Sequence, residues 1–195
     1  MDKSLFDTIK DVTTTYDIDP YFAYAVAMLE SNGNGYLGNG FPVIRFEKHV
    51  FKRYLNKTKA TPHALRKTEC LIGTGWNTYQ DALKIDKHCA KLATSFGMFQ
   101  IMGFNFSLVG YDSVESFVDA VETSIENQIE AFCKYVINTG CMATIRNKDF
   151  AKFAYKYNGP NYQINKYDEK LKRLYDSVVP SEKPKKQKGY SQTKE

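Results

Sequence analysis

Hydrophobic residues recur at helical spacing in the segment 20–31, where Phe22, Val26 and Leu29 repeat at intervals of three or four. This periodicity predicts an amphipathic helix with one buried stripe. The flanking residues are typical of helix ends, with Asp19 and Pro20 at the start and Asn32 and Gly33 at the stop. Glu30 follows the stripe directly, so the helix is expected to carry a carboxylate at the edge of its buried face.

The same periodicity predicts further helices over 5–16, 48–54, 76–93, 113–137, 148–157 and 162–178. The longest, 113–137, keeps one apolar stripe for six turns and is the expected central helix of the core; Asp112 and Glu115 resemble a capping box at its start. Alternation over 41–47 predicts a short strand in a small hairpin. The segment 56–75 is polar, and we expect it to be irregular and mobile. The predicted fold is mostly α, an α+β domain built around a long central helix with a small β-hairpin lobe.

Composition fits one globular domain, since 43% of the 195 residues are hydrophobic and 25% are charged. We assign the domain to residues 1–179 and predict that residues 180–195 form a disordered, Lys-rich tail, because they contain almost no apolar side chains. The net charge is +5, and five Lys against two Glu place +3 of it in the tail. The remaining +2 is a weak basic bias, which argues against a nucleic-acid partner.

The chain opens without an apolar stretch and contains no segment long enough for a membrane span, so we expect neither a signal peptide nor a transmembrane helix. The four cysteines show no metal-ligand spacing and are expected to be free thiols, mostly buried. We therefore do not expect a zinc site, and the chemistry considered below calls for neither a metal nor an organic cofactor. A monomer is the expected state.

Glu30 is the first candidate for chemistry. A carboxylate at the edge of a buried stripe loses solvent, which disfavours its charged form and keeps it protonated near neutral pH. A protonated carboxyl at a helix end suits a general acid. The alternative is a partly exposed glutamate beside a helix end.

Three segments in order carry a family resemblance: Leu29-Glu30-Ser31, the near-apolar run Ser95-Phe96-Gly97-Met98-Phe99-Gln100-Ile101-Met102, and Tyr157-Asn158-Gly159-Pro160. Together they resemble the signature motifs of the lysozyme-like superfamily, in particular goose-type lysozymes and lytic transglycosylases. With 45–51 and 150–154 the chain looks more specifically like the N-acetylmuramidase domain of phage endolysins. The resemblance covers roughly residues 17–175.

The resemblance implies that Glu30 protonates the leaving glycosidic oxygen and that Tyr157 lies near Glu30 and steadies it. It also implies a saccharide groove lined by the matched motif residues Ser31, Gly97, Gln100, Met102 and Asn158. The family usually has Trp where this chain has Phe96.

The residue types are consistent with these roles. Gly97 allows a sugar to approach the backbone closely, and the Gln100 amide can both donate and accept towards an acetamido group. The alternative for 95–102 is a buried helix-turn segment, in which Phe96, Phe99 and Ile101 belong to the core. An amide in so apolar a run needs a polar partner in either case.

Glu47 is the second candidate carboxylate, seventeen residues after Glu30 and across a Gly-rich turn. A hairpin can fold it back over the same groove, where it would activate water on the opposite face of the sugar. The alternative is a structural ion pair with Arg45, Lys48 or His49.

The expected function is hydrolysis of the β-1,4 bond between N-acetylmuramic acid and N-acetylglucosamine in peptidoglycan, with a glycan strand as partner and Glu30 as general acid. One alternative is a lytic transglycosylase, which needs only Glu30 and forms 1,6-anhydro ends. Another is a non-catalytic wall-binding module. We expect synthesis in the cytoplasm and action at the bacterial cell wall, as a phage lysin or a secreted effector, with the Lys-rich tail favouring anionic envelopes.

Overall fold

The computed structural model describes residues 1–180; the predicted disorder of the tail falls on residues 181–195, outside the described part of the chain. Within residues 1–180 the helices are α1 Lys3–Thr14, α2 Pro20–Ser31, α3 Lys48–Lys57, α4 Pro62–Lys67, α5 Trp76–Ile85, α6 Lys87–Leu92, α7 Val114–Thr123, α8 Ile125–Asn138, α9 Met142–Arg146, α10 Phe150–Asn158 and α11 Tyr167–Val178. Three short 3₁₀ helices lie at Thr68–Cys70, Gly103–Asn105 and Pro160–Asn165. The chain is mostly helical, as predicted.

Helix α2 forms as its sequence predicts. The Asp19 side chain accepts hydrogen bonds from the backbone N–H groups of Tyr21 and Phe22, and Asn32 ends the helix in the left-handed region with φ +54°. The residues from Phe22 to Ala27 are buried, because α2 packs between α1 and α11. Glu30 therefore lies at the end of a helix that is fixed on several sides.

The sheet has three short antiparallel strands in the order β1 Ile44–Phe46, β2 Thr94–Phe96 and β3 Ile101–Met102. Ile44 pairs with Phe96, and Phe96 also pairs with Ile101. The small β-hairpin lobe is confirmed. The segment 95–102 forms the hairpin of strands β2 and β3, and not a helix-turn. The apolar residues Phe96, Phe99 and Ile101 are buried as expected.

The predicted long central helix is wrong in one respect, since residues 114–138 form two helices, α7 and α8, with a break at Ser124. Ser124 has extended backbone angles, and its hydroxyl accepts from the N–H of Asn127 to cap α8. The apolar stripe continues across the break because both helices face the same core. The capping box at the start of α7 is formed by Ser113 and Ser116, not by Asp112 and Glu115.

Two other predicted segments differ for related local reasons. The helix predicted over 76–93 divides at Asp86, which is extended and caps α6 through its carboxylate. The segment predicted to be irregular, 56–75, contains α4, which begins at Pro62 with Thr61 as its cap, and a 3₁₀ turn. All four cysteines are free; Cys70 is exposed and the other three are buried.

Gln128 of α8 connects the core to the hairpin and is only 2% exposed. Its Oε1 accepts from the N–H of Met98 at 2.8 Å, and its Nε2 donates to the carbonyl oxygens of Val121 at 2.9 Å and Gly35 at 3.4 Å. The amide thus joins three chain segments that are far apart in sequence. A buried amide in this position fixes the hairpin against α8 through hydrogen bonds.

Replacing Gln128 with leucine keeps the volume but leaves the Met98 N–H buried without an acceptor, so we expect the free energy of unfolding to fall by about 2 kcal/mol. Urea denaturation of the purified protein measures this change. Gln80→Leu, on the exposed side of α5, is the matched control and should unfold at the wild-type midpoint. Equal midpoints for both variants would show that the Gln128 bonds add nothing to stability.

Candidate active site

An open cleft of about 390 Å³ lies between the end of α2, the sheet and the end of α10. Six of the eight predicted site residues line it: Glu30, Glu47, Gln100, Met102, Tyr157 and Asn158. The other lining residues are Arg45, Ser95, Phe104, Asn105 and Tyr135. Residues far apart in sequence therefore meet at one polar groove, with two carboxylates among them.

Glu30 keeps partial access to the cleft, while its carboxyl group is surrounded by protein. Tyr167 donates a hydrogen bond to Glu30 Oε1 at 2.6 Å. Burial raises the pKa of Glu30 from about 4.5 to about 7, against smaller lowering effects of the Tyr167 hydrogen bond and the Arg45 charge. Near neutral pH the carboxyl group is therefore about half protonated and able to act as an acid.

Tyr167, at the start of α11, makes the hydrogen bond to Glu30, whereas Tyr157 lies near Glu30 in the same cleft, as expected, but donates its hydroxyl elsewhere. The Tyr157 hydroxyl donates to the carbonyl oxygen of Phe99 at 2.7 Å, which ties α10 to the hairpin. Burial, with Glu30 nearby, raises the pKa of both phenols well above the usual value, so both remain donors. Tyr167 lies outside the motifs that carry the resemblance.

The Gln100 side chain lines the cleft, but its partners belong to the sheet lobe. Its Oε1 accepts from the Ser95 hydroxyl at 2.8 Å, and its Nε2 donates to the carbonyl oxygens of Gly97 at 2.8 Å and Val43 at 3.3 Å. Both N–H groups of the amide are thereby engaged, leaving one lone pair on Oε1. The amide thus holds the hairpin, whose backbone at Gln100 is in the left-handed region with φ +50°.

Gly97 and Ser31 lie behind the cleft wall, outside its lining. Gly97 has φ +73°, and a Cβ built on it would lie 2.6 Å from Gln128 Oε1. The close approach that requires glycine here is therefore made by the Gln128 amide, where the sequence suggested a sugar. The Ser31 hydroxyl donates to the Met98 carbonyl at 2.9 Å and so joins the end of α2 to the hairpin.

Glu47 lies between β1 and α3 and is held by two basic side chains. Its Oε1 is 2.8 Å from Arg45 Nε, and its Oε2 is 3.6 Å from His49 Nδ1. The ion pair expected as an alternative is therefore present with Arg45, and the His49 ring lies close enough to form one when it is protonated. Lys48 turns away, since its Nζ donates to the carbonyl oxygens of Glu69 and Leu71.

A comparison with protein-family models matches residues 19–179 to N-acetylmuramidase. The chain belongs to the N-acetylmuramidase family. Among solved structures, this muramidase is similar to the endolysin of Burkholderia phage AP3, with 36% sequence identity and a TM-score of 0.74. That match covers 88% of this chain and 69% of the endolysin chain. A comparison with curated proteins finds no match.

Family membership and the endolysin likeness confirm the lysozyme-like fold and identify the muramidase as a peptidoglycan-cleaving enzyme. Over residues 1–180, no helix is both long and apolar enough to cross a bilayer. The same residues contain no group of three or more His, Cys, Asp or Glu side chains placed to hold a metal ion.

Proposed function

We propose that the muramidase hydrolyses the β-1,4 bond between N-acetylmuramic acid and N-acetylglucosamine, with Glu30 as the general acid. The observation that carries the proposal is the Glu30 carboxyl, which lies in the wall of the cleft with a pKa of about 7. An acid with a pKa near the working pH is both protonated in part and ready to release its proton. The proposed place of action is the bacterial cell wall.

The surroundings of Glu30 suit both stages of the proton transfer. Burial favours the neutral acid before the reaction, so that a proton is present when the glycan strand binds. The Tyr167 hydroxyl occupies Oε1, which assigns Oε2 as the oxygen that carries the proton to the glycosidic oxygen. Once the proton has left, the Tyr167 hydrogen bond and the Arg45 charge stabilise the carboxylate, while an oxocarbenium-like sugar develops in the cleft.

Glu47 is the proposed second carboxylate, which positions the attacking water. Arg45 and His49 fix its side chain at the cleft wall and keep an anionic partner close to the reacting sugar. The same contacts favour one rival, because a carboxylate engaged at both oxygens leaves water activation to other groups. A lytic transglycosylase needs no activated water, since a muramic acid hydroxyl closes the ring.

Product analysis distinguishes these mechanisms. Purified peptidoglycan digested with the wild-type protein should yield fragments ending in reducing N-acetylmuramic acid, detected by mass spectrometry before and after borohydride reduction. Fragments that end in 1,6-anhydro sugars would replace the hydrolase by the transglycosylase. Binding to the wall without any released fragment would identify a non-catalytic module.

Replacing Glu47 with glutamine is expected to lower the rate of peptidoglycan cleavage by about a hundredfold, the lower end of the range for a general base. Glu69→Gln is the matched control, because Glu69 is also ion-paired, with Lys52, but lies outside the cleft. Turbidity loss of suspended cell walls gives both rates. An unchanged rate in Glu47→Gln would leave the ion pair as the function of this residue.

A further inference from the structure

The net charge of the chain is distributed very unevenly. Residues 48–67, which include α3 and α4 and are called the basic segment below, contain seven of the 27 basic residues and none of the 22 acidic ones. Residues 181–195 hold five basic and two acidic residues, so the rest of the chain has fifteen basic and twenty acidic residues. Outside these two stretches the muramidase is therefore slightly acidic, with a net charge of −5, and residues 48–67 alone contribute +7.

Within the described part of the chain, most cations of the basic segment lie near no carboxylate. Lys52 and Lys48 face Glu69, with Nζ to carboxylate oxygen distances of 2.5 and 3.9 Å. Within residues 1–180, no carboxylate oxygen lies within 4 Å of the remaining five cations, which are all exposed: Arg53, Lys57, Lys59, Arg66 and Lys67. Unpaired charges of one sign at this density repel each other and favour an anionic ligand.

The basic segment adjoins the active-site cleft. The Arg53 guanidinium lies 5.9 Å from the ring centroid of Phe104, and Phe104 lines the cleft. Lys57 follows one helical turn later, and both cations lie over the ring of Tyr54, at 5.6 and 5.2 Å. A polymer that leaves the cleft past Phe104 therefore meets this row of charges.

The composition of the surface indicates which polyanion it fits. Residues 48–67 include no exposed large hydrophobic side chain, so the surface lacks an anchor for a lipid bilayer. Its aromatic residues are the buried Phe51 and the half-buried Tyr54, and Tyr54 is already covered by two cations, which leaves no stacking platform for nucleic-acid bases. Ten residues of α3 span about 15 Å, a length that suits repeated charges.

We propose that the basic segment binds a linear polyol-phosphate polymer joined to the cell-wall glycan, next to the strand held in the cleft. This inference rests on the proposed action at peptidoglycan. Phosphodiester groups supply regularly spaced negative charges without bases or acyl chains, as the surface requires. The ligand adds affinity for walls that carry it and does not take part in bond cleavage.

Binding to cell walls tests the proposal in a Glu30→Gln background, in which no cleavage interferes. The test variant adds Lys57→Gln, Lys59→Gln, Arg66→Gln and Lys67→Gln, and leaves Arg53 in place because it packs near the cleft. The matched control instead changes four exposed lysines elsewhere, Lys3, Lys10, Lys152 and Lys170, which also lie more than 4 Å from every carboxylate oxygen of the described residues. Walls with the polymer and walls from which it has been chemically stripped are the two ligands.

At low salt we expect the Glu30→Gln protein to bind polymer-bearing walls at least about tenfold more tightly than stripped walls, with the difference lost by about 0.2 M salt. The test variant should lose this preference and the lysine control should keep it. On stripped walls, cleavage by the same charge variants with Glu30 restored should equal the wild-type rate, which also confirms folding. Equal loss in test variant and control, or equal wild-type affinity for both walls, would overturn the proposal.

Two further binding measurements test whether the basic segment prefers another anionic ligand to the wall polymer. Duplex DNA and phosphatidylglycerol vesicles are titrated with the same proteins, and the proposal expects weaker binding than to polymer-bearing walls. A charge effect confined to DNA or to vesicles overturns it. Failure of the proposed function has a different signature, since wild-type protein would then fail to cleave stripped walls whatever the binding results.

Discussion

Peptidoglycan cleavage is expected to fall about a thousandfold in Glu30→Gln, within the range set by general acids. The amide keeps the size of the side chain and can still bind the Tyr167 hydroxyl at its oxygen, so the cleft retains its shape. What is lost is the proton for the glycosidic oxygen. Initial rates on purified walls measure the loss, and Glu126→Gln, an exposed residue at the start of α8, is the control.

The pH dependence of the cleavage rate tests independently whether Glu30 is the general acid. Because the acid form carries the reaction and its pKa is about 7, the rate should fall as pH rises above that value. Tyr167→Phe removes a hydrogen bond that lowers this pKa, so its falling limb should move to higher pH. A wild-type rate that is unchanged from about pH 6 to about pH 9, or a Glu30→Gln rate equal to the wild type, would remove Glu30 from the reaction.

Local signals account for the elements that the sequence predicts well. Asp19, Pro20 and Asn32 act on the backbone within a few residues, so both ends of α2 are readable without knowledge of the fold. The position of Glu30 beside the buried face follows from the same helix. The N-acetylmuramidase family was likewise accessible, because its motifs are short and contiguous. Alternation over 41–47 indicated β1, but β2 and β3, which complete the sheet, were not predicted.

Two kinds of feature were not readable from the sequence: a helix break that the apolar stripe continues across, and contacts between residues far apart in the chain. The break at Ser124 interrupts the backbone but not the apolar stripe, so periodicity alone indicates one helix. The choice between Tyr157 and Tyr167 as the partner of Glu30 depends on how α10 and α11 pack against α2. Gly97 shows the same limit, since its positive φ serves a contact with Gln128, thirty-one residues away.

Removing the Glu30 carboxyl should raise the free energy of unfolding at neutral and higher pH, although it lowers activity. The folded state holds the Glu30 proton up to a pKa of about 7, whereas the unfolded chain releases it near 4.5. Between these values the native state binds more protons than the unfolded state, so the free energy of unfolding of the wild type falls as pH rises. The difference in pKa corresponds to about 3 kcal/mol above pH 7.

Glu30→Gln carries no ionisable group at this position, so it should escape that loss. We expect the variant to be about 3 kcal/mol more stable than the wild type at about pH 8 and nearly equal to it at about pH 4, in urea denaturation series across this range. Asp19 and Glu130, whose pKa values are lowered by their lysine and tyrosine partners, titrate in both proteins and cancel in the difference. A difference that does not change with pH would mean that Glu30 ionises without cost in the folded state. The catalytic proton would then need another source, because the burial that destabilises the carboxylate is also what keeps the acid protonated for the reaction.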